Sequence, residues 1–326
     1  MPGGSPFSPA PPRVLTDPQA VAEELRRQSA RTTGRAELVA RHPGLGRVSP
    51  RTGELDEQAL AAMLRDDADS AIALLADLTR ATDRTVRAAA RRLARTLALR
   101  PSASAGRSPS GRPRLETVTD PSAGDLDLDA TLARLDVTPR LRGEDLRTRD
   151  WRRRGHAYVL LVDASGSVAG SRLATAVLTT GAVAARLRAD DELAVLTFAR
   201  DVLVLRPIGA SNDPGDTLDA LLDVRGGGTT DLAHGLRAGL DQAARARSPR
   251  RVLLVLTDGL ATAGHDPLPV AAAAGRTGAR VHVLDLADTD ESRTASRALA
   301  AAGGGRRAAL TRPHQAADAV GQVLGG

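Results

Sequence analysis

Five consecutive apolar residues, Tyr158-Val159-Leu160-Leu161-Val162, run without interruption into Asp163-Ala164-Ser165-Gly166-Ser167. A run of that kind leaves no face for water, so it predicts a strand covered on both sides, as in a parallel sheet between layers of helices. The pattern recurs at Val252-Leu253-Leu254-Val255-Leu256, which ends in Thr257-Asp258-Gly259. Between the two lies Arg225-Gly226-Gly227-Gly228-Thr229-Thr230-Asp231, a glycine-rich turn that opens a helical pattern. Strand and helix signals alternate from Tyr158 onward, which predicts an α/β fold with a doubly wound, mostly parallel sheet.

Within that half, Leu173, Ala176, Val177, Thr180, Ala184 and Leu187 mark one face of a helix starting near Ser171. Strands over 192–198 and 202–207 are separated by Ala199-Arg200-Asp201 alone, too short for a helical crossover. They must form a hairpin, which places one antiparallel edge strand on the sheet. Helices are expected over 217–222, 231–247, 267–277, 291–302 and 314–324, and strands over 251–257, 281–286 and 308–311.

Asp163, Ser165 and Ser167 put one carboxylate and two hydroxyls two residues apart at a strand end. Mg2+ takes near-octahedral oxygen ligation and keeps several waters, so one acid with neutral oxygens suits it. Loops at the carboxyl ends of parallel strands are also where open α/β sheets hold their ligands. The bland reading is an ordinary strand-to-helix turn capped by Ser171, since Asp, Ser and Gly all favour turns. The two later loops, each bringing an oxygen ligand to the same sheet edge, shift the balance toward a cation site.

The set DxSxS, then GGxT before a helix, then a strand ending TDG, resembles the von Willebrand factor type A domain with its metal-ion-dependent adhesion site. The resemblance covers about residues 157–326. It implies that Asp163, Ser165, Ser167, Thr230 and Asp258 are the metal-site positions, with Mg2+ as the ion and Mn2+ as the second candidate. Thr230 stands six residues before Leu236, the family's usual spacing, whereas Thr229 stands seven before it. The family pattern further implies that Ser165, Ser167 and either Asp163 or Thr230 touch the ion, that Asp258 acts through water, and that an open coordination position takes a carboxylate from an acidic protein ligand.

Gly124-Asp125-Leu126-Asp127-Leu128-Asp129 and Arg149-Asp150-Trp151 are similar to the lead-in of bacterial type A proteins that work beside MoxR-type AAA+ ATPases or in chelatase-like complexes. That likeness implies an AAA+ partner and a role in protein remodelling or metal-centre maturation. The alternative is the type A subunit of a magnesium or cobalt chelatase, which usually carries a long acidic, proline-rich linker. Here the linker is short and bears arginine. The alternating acids of 124–129 do not fit an EF-hand, because no central glycine follows them.

Ahead of this half, residues 1–15 are rich in Pro, Gly and Ser and are expected to be disordered. Residues 16–100 read as helical: Asp17-Pro18 is a standard helix entry, and Glu54 to Leu99 carries apolar residues at helical spacing that fit two or three helices. Residues 101–123 read as a linker and 124–156 as the lead-in segment. The helical part fits a docking module or a small bundle packed on the main domain.

Enzymatic readings fare poorly. An aspartyl-phosphate transferase would want a second acid where Ser165 stands, and the chain has no lysine to steady a phosphate. The GxSxG of a serine hydrolase lacks its first glycine here, and the glycine-rich loop lacks the lysine of a phosphate loop. A non-enzymatic role is therefore expected. All 45 basic residues are arginines, which a GC-rich genome explains. The net charge of +6 lies wholly before Ala157, with 27 arginines against 21 acids there. With aromatic content at 1% no stacking platform accompanies it, so nucleic acid is not an expected partner. Absence of cysteine fits a reducing compartment. No apolar run approaches the length of a membrane span and Met1–Pro12 lacks the apolar core of a signal peptide, so a soluble, cytoplasmic protein is expected.

Overall fold

The computed structural model describes residues 11–100, 114–118, 124–133, 143–152, 155–166, 170–210 and 213–325. The chain opens with β1 (Val14–Leu15) and six helices: α1 (Pro18–Ser29), α2 (Arg35–Arg41), α3 (Leu45–Val48), α4 (Glu57–Asp66), α5 (Ala68–Leu78) and α6 (Arg84–Ala98). A small antiparallel unit follows, β2 (Arg114–Val118), β3 (Asp125–Leu126), α7 (Leu128–Leu132) and β4 (Thr148–Arg152). The remainder is β5 (His156–Asp163), α8 (Ser171–Ala184), β6 (Glu192–Phe198), β7 (Val202–Arg206), α9 (Pro214–Asp223), α10 (Leu232–Ala244), β8 (Arg250–Thr257), α11 (Pro267–Ala273), β9 (Ala279–Asp285), α12 (Asp290–Ala302), β10 (Gly304–Ala309) and α13 (Ala316–Leu324).

Aspartate begins many of these helices. Asp17, Asp56, Asp67, Asp83, Asp213, Asp231 and Asp266 each accept a hydrogen bond from a first-turn backbone N–H, and Pro18, Pro214 and Pro267 stand just inside three of the starts. Caps of this type satisfy N–H groups that have no partner within the helix.

Among the described residues the large sheet has seven strands in the order β1-β7-β6-β5-β8-β9-β10. Its pairs are parallel except β6 with β7, as the three-residue connection requires. Strand β7 is not the edge, however. Val14 and Leu15 pair alongside Val202 and Leu203, and Arg13 holds Asp201 through its backbone N–H and its guanidinium. The expectation of disorder over 1–15 therefore fails at its last residues: a free ladder edge and an acid in the hairpin turn offer partners that composition does not register. Residues 1–10 lie outside the described residues. The linker expected over 101–123 also contains strand β2, which β4 pairs with in register, Leu115 opposite Trp151; the rest of that segment lies outside the described residues.

Period-two alternation sends neighbouring residues of β5 into different cores. Tyr158, Leu160 and Val162 join Leu254 and Leu256 against α8, α13 and the N-terminal helices, while Val159 and Leu161 join Leu253 and Val255 against α10 and α12. Helix α8 is thus sandwiched between the sheet and the packed pair α5 and α6. Contact there is close: a Cβ on Gly181 of α8 would stand 2.1 Å from the carbonyl oxygen of Ala98 at the end of α6. In the lead-in unit, buried Asp127 caps α7 and takes hydrogen bonds from Thr117 and Arg149. One of the alternating acids is thereby committed to structure.

Gly181→Ala is expected to destabilise the full chain by about 1–3 kcal/mol, because backbone rather than a movable side chain blocks the added methyl. Urea unfolding followed by circular dichroism measures it.

Candidate metal centre

Strand β5 lies at the middle of the sheet, and the chain leaves it toward β6 on one side and comes back through β8 on the other. That reversal opens a crevice at the carboxyl ends of β5 and β8, the place where such sheets take ligands. Asp163 ends β5 and Asp258 follows β8 directly.

Three loops interlock there through backbone hydrogen bonds. Ala164 N–H donates to the carbonyl of Phe198 at 2.7 Å, and Gly227 N–H donates to the carbonyl of Ala164 at 3.1 Å. The Thr230 carbonyl accepts from the N–H groups of Thr262 and Ala263, and Thr230 N–H donates to the Thr262 hydroxyl at 2.8 Å. The loop after β5, the glycine-rich loop and the loop after β8 therefore form one framework. Thr230 is buried within it, whereas Thr229 is exposed. Ser165 is buried at the β5 end, Asp163 is partly buried, and Ser167 lies outside the described residues.

The Asp163 carboxylate is fixed from two sides. Oδ1 accepts the Ser165 N–H at 2.9 Å, and Oδ2 accepts the Thr257 hydroxyl at 2.8 Å. Burial nevertheless pushes its carboxyl above the ordinary aspartate value, because these bonds offset desolvation only in part and the charge of Asp258 adds to the rise. Among the described residues no arginine pairs with Asp163. Asp258 accepts the Leu260 N–H, and its other oxygen lies 3.7 Å from the Arg172 guanidinium at the start of α8.

Two neighbouring carboxylates, one of them desolvated and without a cation, make a site of negative potential whose oxygens are already oriented. That donor set fits a divalent cation. No group of three or more His, Asp or Glu side chains among the described residues could hold a metal, so a cation here would rest on these two acids, hydroxyls and water, the hard-oxygen environment Mg2+ favours.

Sequence reasoning missed Thr257 and Arg172. Thr257 is fully buried, bonds Asp163 and accepts the Gly259 N–H; the TDG triplet contained it, but only strand register shows its hydroxyl meeting β5. The signal for Arg172 was its place one residue into α8. His282 is buried in β9, with Nδ1 accepting the Arg306 N–H, and burial together with Arg306 and Arg280 pushes its ring down to about 4. His265 is exposed, and the His234 ring reaches the Arg13 carbonyl at 3.4 Å. The acids that follow β9 are engaged elsewhere: Asp285 is buried against Arg307 and Ser296, and Asp290 pairs with Arg293 in solvent.

A cleft of about 190 Å3 adjoins the framework, lined by Ala164, Gly227, Leu15, Phe198, Val224 and Arg225. A roomier one, about 750 Å3, lies at the opposite end of the sheet among Asp190, Asp191, Glu192 and Arg206. It opens at the amino ends of the strands, away from the crevice.

Residues 159–312 match the family model described as the von Willebrand factor type A domain. Over 126 residues the chain is 38% identical to the uncharacterized protein Rv2850c of Mycobacterium tuberculosis, a match covering 36% of this chain and 19% of that protein. The chain thus spans about a fifth of that relative's length. Among solved structures it is similar to an aerotolerance-related membrane protein from Bacteroides fragilis, at 20% identity and a TM-score of 0.40, covering 52% of this chain and 98% of that one. It is also similar to the von Willebrand domain of the pilus tip protein Mfa5 from Porphyromonas gingivalis, at 11% identity and a TM-score of 0.43, covering 52% and 93%. The manganese-loaded TRAP protein of Plasmodium vivax matches at 16% identity and a TM-score of 0.41, covering 51% and 72%.

Because the folded value of Asp163 lies above its unfolded one, the native state holds a proton that the unfolded chain has lost in the window between the two. Stability from this group therefore falls as pH rises through that window. In EDTA at about pH 7, Asp163→Asn is expected to be at least as stable as the parent chain, the difference closing below the ordinary aspartate value of about 3.9. Urea midpoints at a series of pH values give the comparison; an Asn variant less stable at neutral pH and equal in acid refutes the assignment.

Proposed function

We propose that the von Willebrand factor type A domain formed by residues 159–312 is a cation-dependent docking module that captures an acidic side chain of a partner protein. The observation that carries this reading is Asp163, desolvated and with no arginine partner among the described residues, in a framework that joins three loops at the crevice of the sheet. Asp163, Ser165, Ser167 and Thr230 would hold Mg2+ or Mn2+, and Asp258 would hold water beside it. Bound there, the ion supplies an electrophilic position that a carboxylate oxygen can fill.

The residues divide the remaining work. Thr257 and the Ser165 N–H keep the Asp163 carboxylate from rotating, as outer groups do for metal ligands generally. Arg172, 3.7 Å from Asp258, adds positive potential where an acidic ligand arrives.

The lead-in motifs at 124–129 and 149–151 favour a MoxR-type AAA+ ATPase as the partner, with remodelling or metal-centre maturation as the task. Among the described residues no helix is long and apolar enough to cross a membrane.

Mg2+ at about 100 times its Kd is expected to stabilise the full chain by about 2.7 kcal/mol, seen as a higher Tm, and Asp163→Ala is expected to abolish the shift. In pull-downs a partner held in Mg2+ should elute with EDTA; retention in EDTA, or a partner equally bound by Asp163→Ala, contradicts cation-dependent docking.

A further inference from the structure

The loops of the metal centre are gripped from outside their own domain. Gly170, the first described residue after the Asp163–Ser167 turn region, begins α8 with φ +51° and without a side-chain cap. Its N–H donates instead to Asp77 Oδ1 at 2.7 Å, and Asp77 belongs to the last turns of α5, 93 residues earlier. Asp77 is 3% exposed, and its Oδ2 lies 2.8 Å from His42 Nε2. Burial opposes its charge, yet the bonds from His42 and Gly170 outweigh burial and hold the carboxyl below the ordinary range. Asp77 thus ties His42, with Arg41 3.9 Å away, to a backbone N–H of a distant loop, and removing it leaves buried donors unpaired.

The glycine-rich loop is gripped in the same way. Just before it, the Val224 carbonyl accepts from Nη2 of buried Arg80 at 2.7 Å, and the Arg225 N–H donates to Gln28 Oε1 at 2.8 Å. Arg225 Nε also reaches the Arg31 carbonyl. Gln28 lies in the last turn of α1 and Arg80 follows α5, so two separate parts of the N-terminal helical region hold this loop. The third loop has its own tie through Thr262 and Thr230. With Ala98 wedged against Gly181, α8 is held near both ends by the same helices.

We propose that the N-terminal helical region is a positioning frame for the cation site, with Asp77, Arg80 and Gln28 as its positioning residues, so that cation binding and docking of this region on α8 and the glycine-rich loop are coupled. The claim rests on the cation-site reading above and extends it: the helical region regulates the site without contributing a ligand. Coupling is reciprocal, since whatever tightens the frame strengthens ion binding and ion binding tightens the frame. A partner that pulled α1 or α5 from the domain would thereby loosen the ion and release an acidic ligand.

The test is calorimetric titration of Mg2+ into the full chain as wild type, Asp163→Ala, Asp77→Ala, Asp77→Asn and Gln28→Ala, at a temperature where circular dichroism shows each folded. Asp77→Ala is expected to weaken Mg2+ about 10-fold, the scale found for groups that orient metal ligands without touching the metal. Asp77→Asn should recover most of that loss, because its amide oxygen still accepts the Gly170 N–H, and Gln28→Ala should weaken binding several-fold. Should Asp77→Ala not fold, Gln28→Ala and Asp77→Asn carry the comparison. Hydrogen exchange reads the reverse direction: saturating Mg2+ should slow exchange over 18–29 and 68–78 in the wild type and much less in Asp77→Ala. Equal Mg2+ affinity in wild type, Asp77→Ala and Gln28→Ala, with Asp163→Ala inactive, overturns the frame and leaves the cation site standing. No Mg2+ binding by the wild type overturns both.

Discussion

One carboxylate, Asp163, sets the terms for the rest of the molecule. It stands where the most deeply buried strand meets solvent, it is stripped of much of its water, and a hydroxyl from the next strand and a backbone N–H from its own loop fix its orientation. Left alone, such a charge opposes folding. The three loops tolerate it because their own hydrogen bonds, through Ala164, Gly227, Thr230 and Thr262, do not depend on it. The framework is held by neutral hydrogen bonds, and the unfavourable charge of Asp163 is what the proposed cation would relieve.

Helix α8 transmits this arrangement to the rest of the chain. Its inner face closes one core of the sheet through Leu173, Ala176 and Val177, and its outer face carries α5 and α6. The Ala98 carbonyl against Gly181 leaves no room for α8 to slide beneath them. Since α8 also starts at Gly170, displacement of the N-terminal helices would register at the loop that begins with Asp163. Ion pairs at the same boundary, Arg91 with Asp223 and Arg95 with Asp219, are partly exposed and add orientation more than stability.

Much of this architecture is legible along the chain because its signals are local. The run from Tyr158 to Val162 has to be a buried strand, Asp-Pro pairs at 17, 213 and 266 start helices, and three residues between strands leave only a hairpin. Other features are invisible locally. The pairing of Val14 and Leu15 with β7 needs a sheet edge that exists only after folding, and strand β2 lies in a stretch whose composition reads as linker. Acids such as Asp285, which look available on paper, are consumed by arginines brought from other strands.

By itself the sequence determined the alternation of strands and helices from β5 onward, the hairpin of β6 and β7 and the end of the sheet where the loops converge, because apolar runs, caps and turn residues act within a few positions of one another. Tertiary structure alone decided which groups meet: that Thr257 bonds Asp163, and that Asp77, Gln28 and Arg80 hold the loops from a region with no sequence motif of its own. The reason is physical. A hydrogen bond spanning 93 residues depends on strand register and helix packing, and neither is written in the residues that make it.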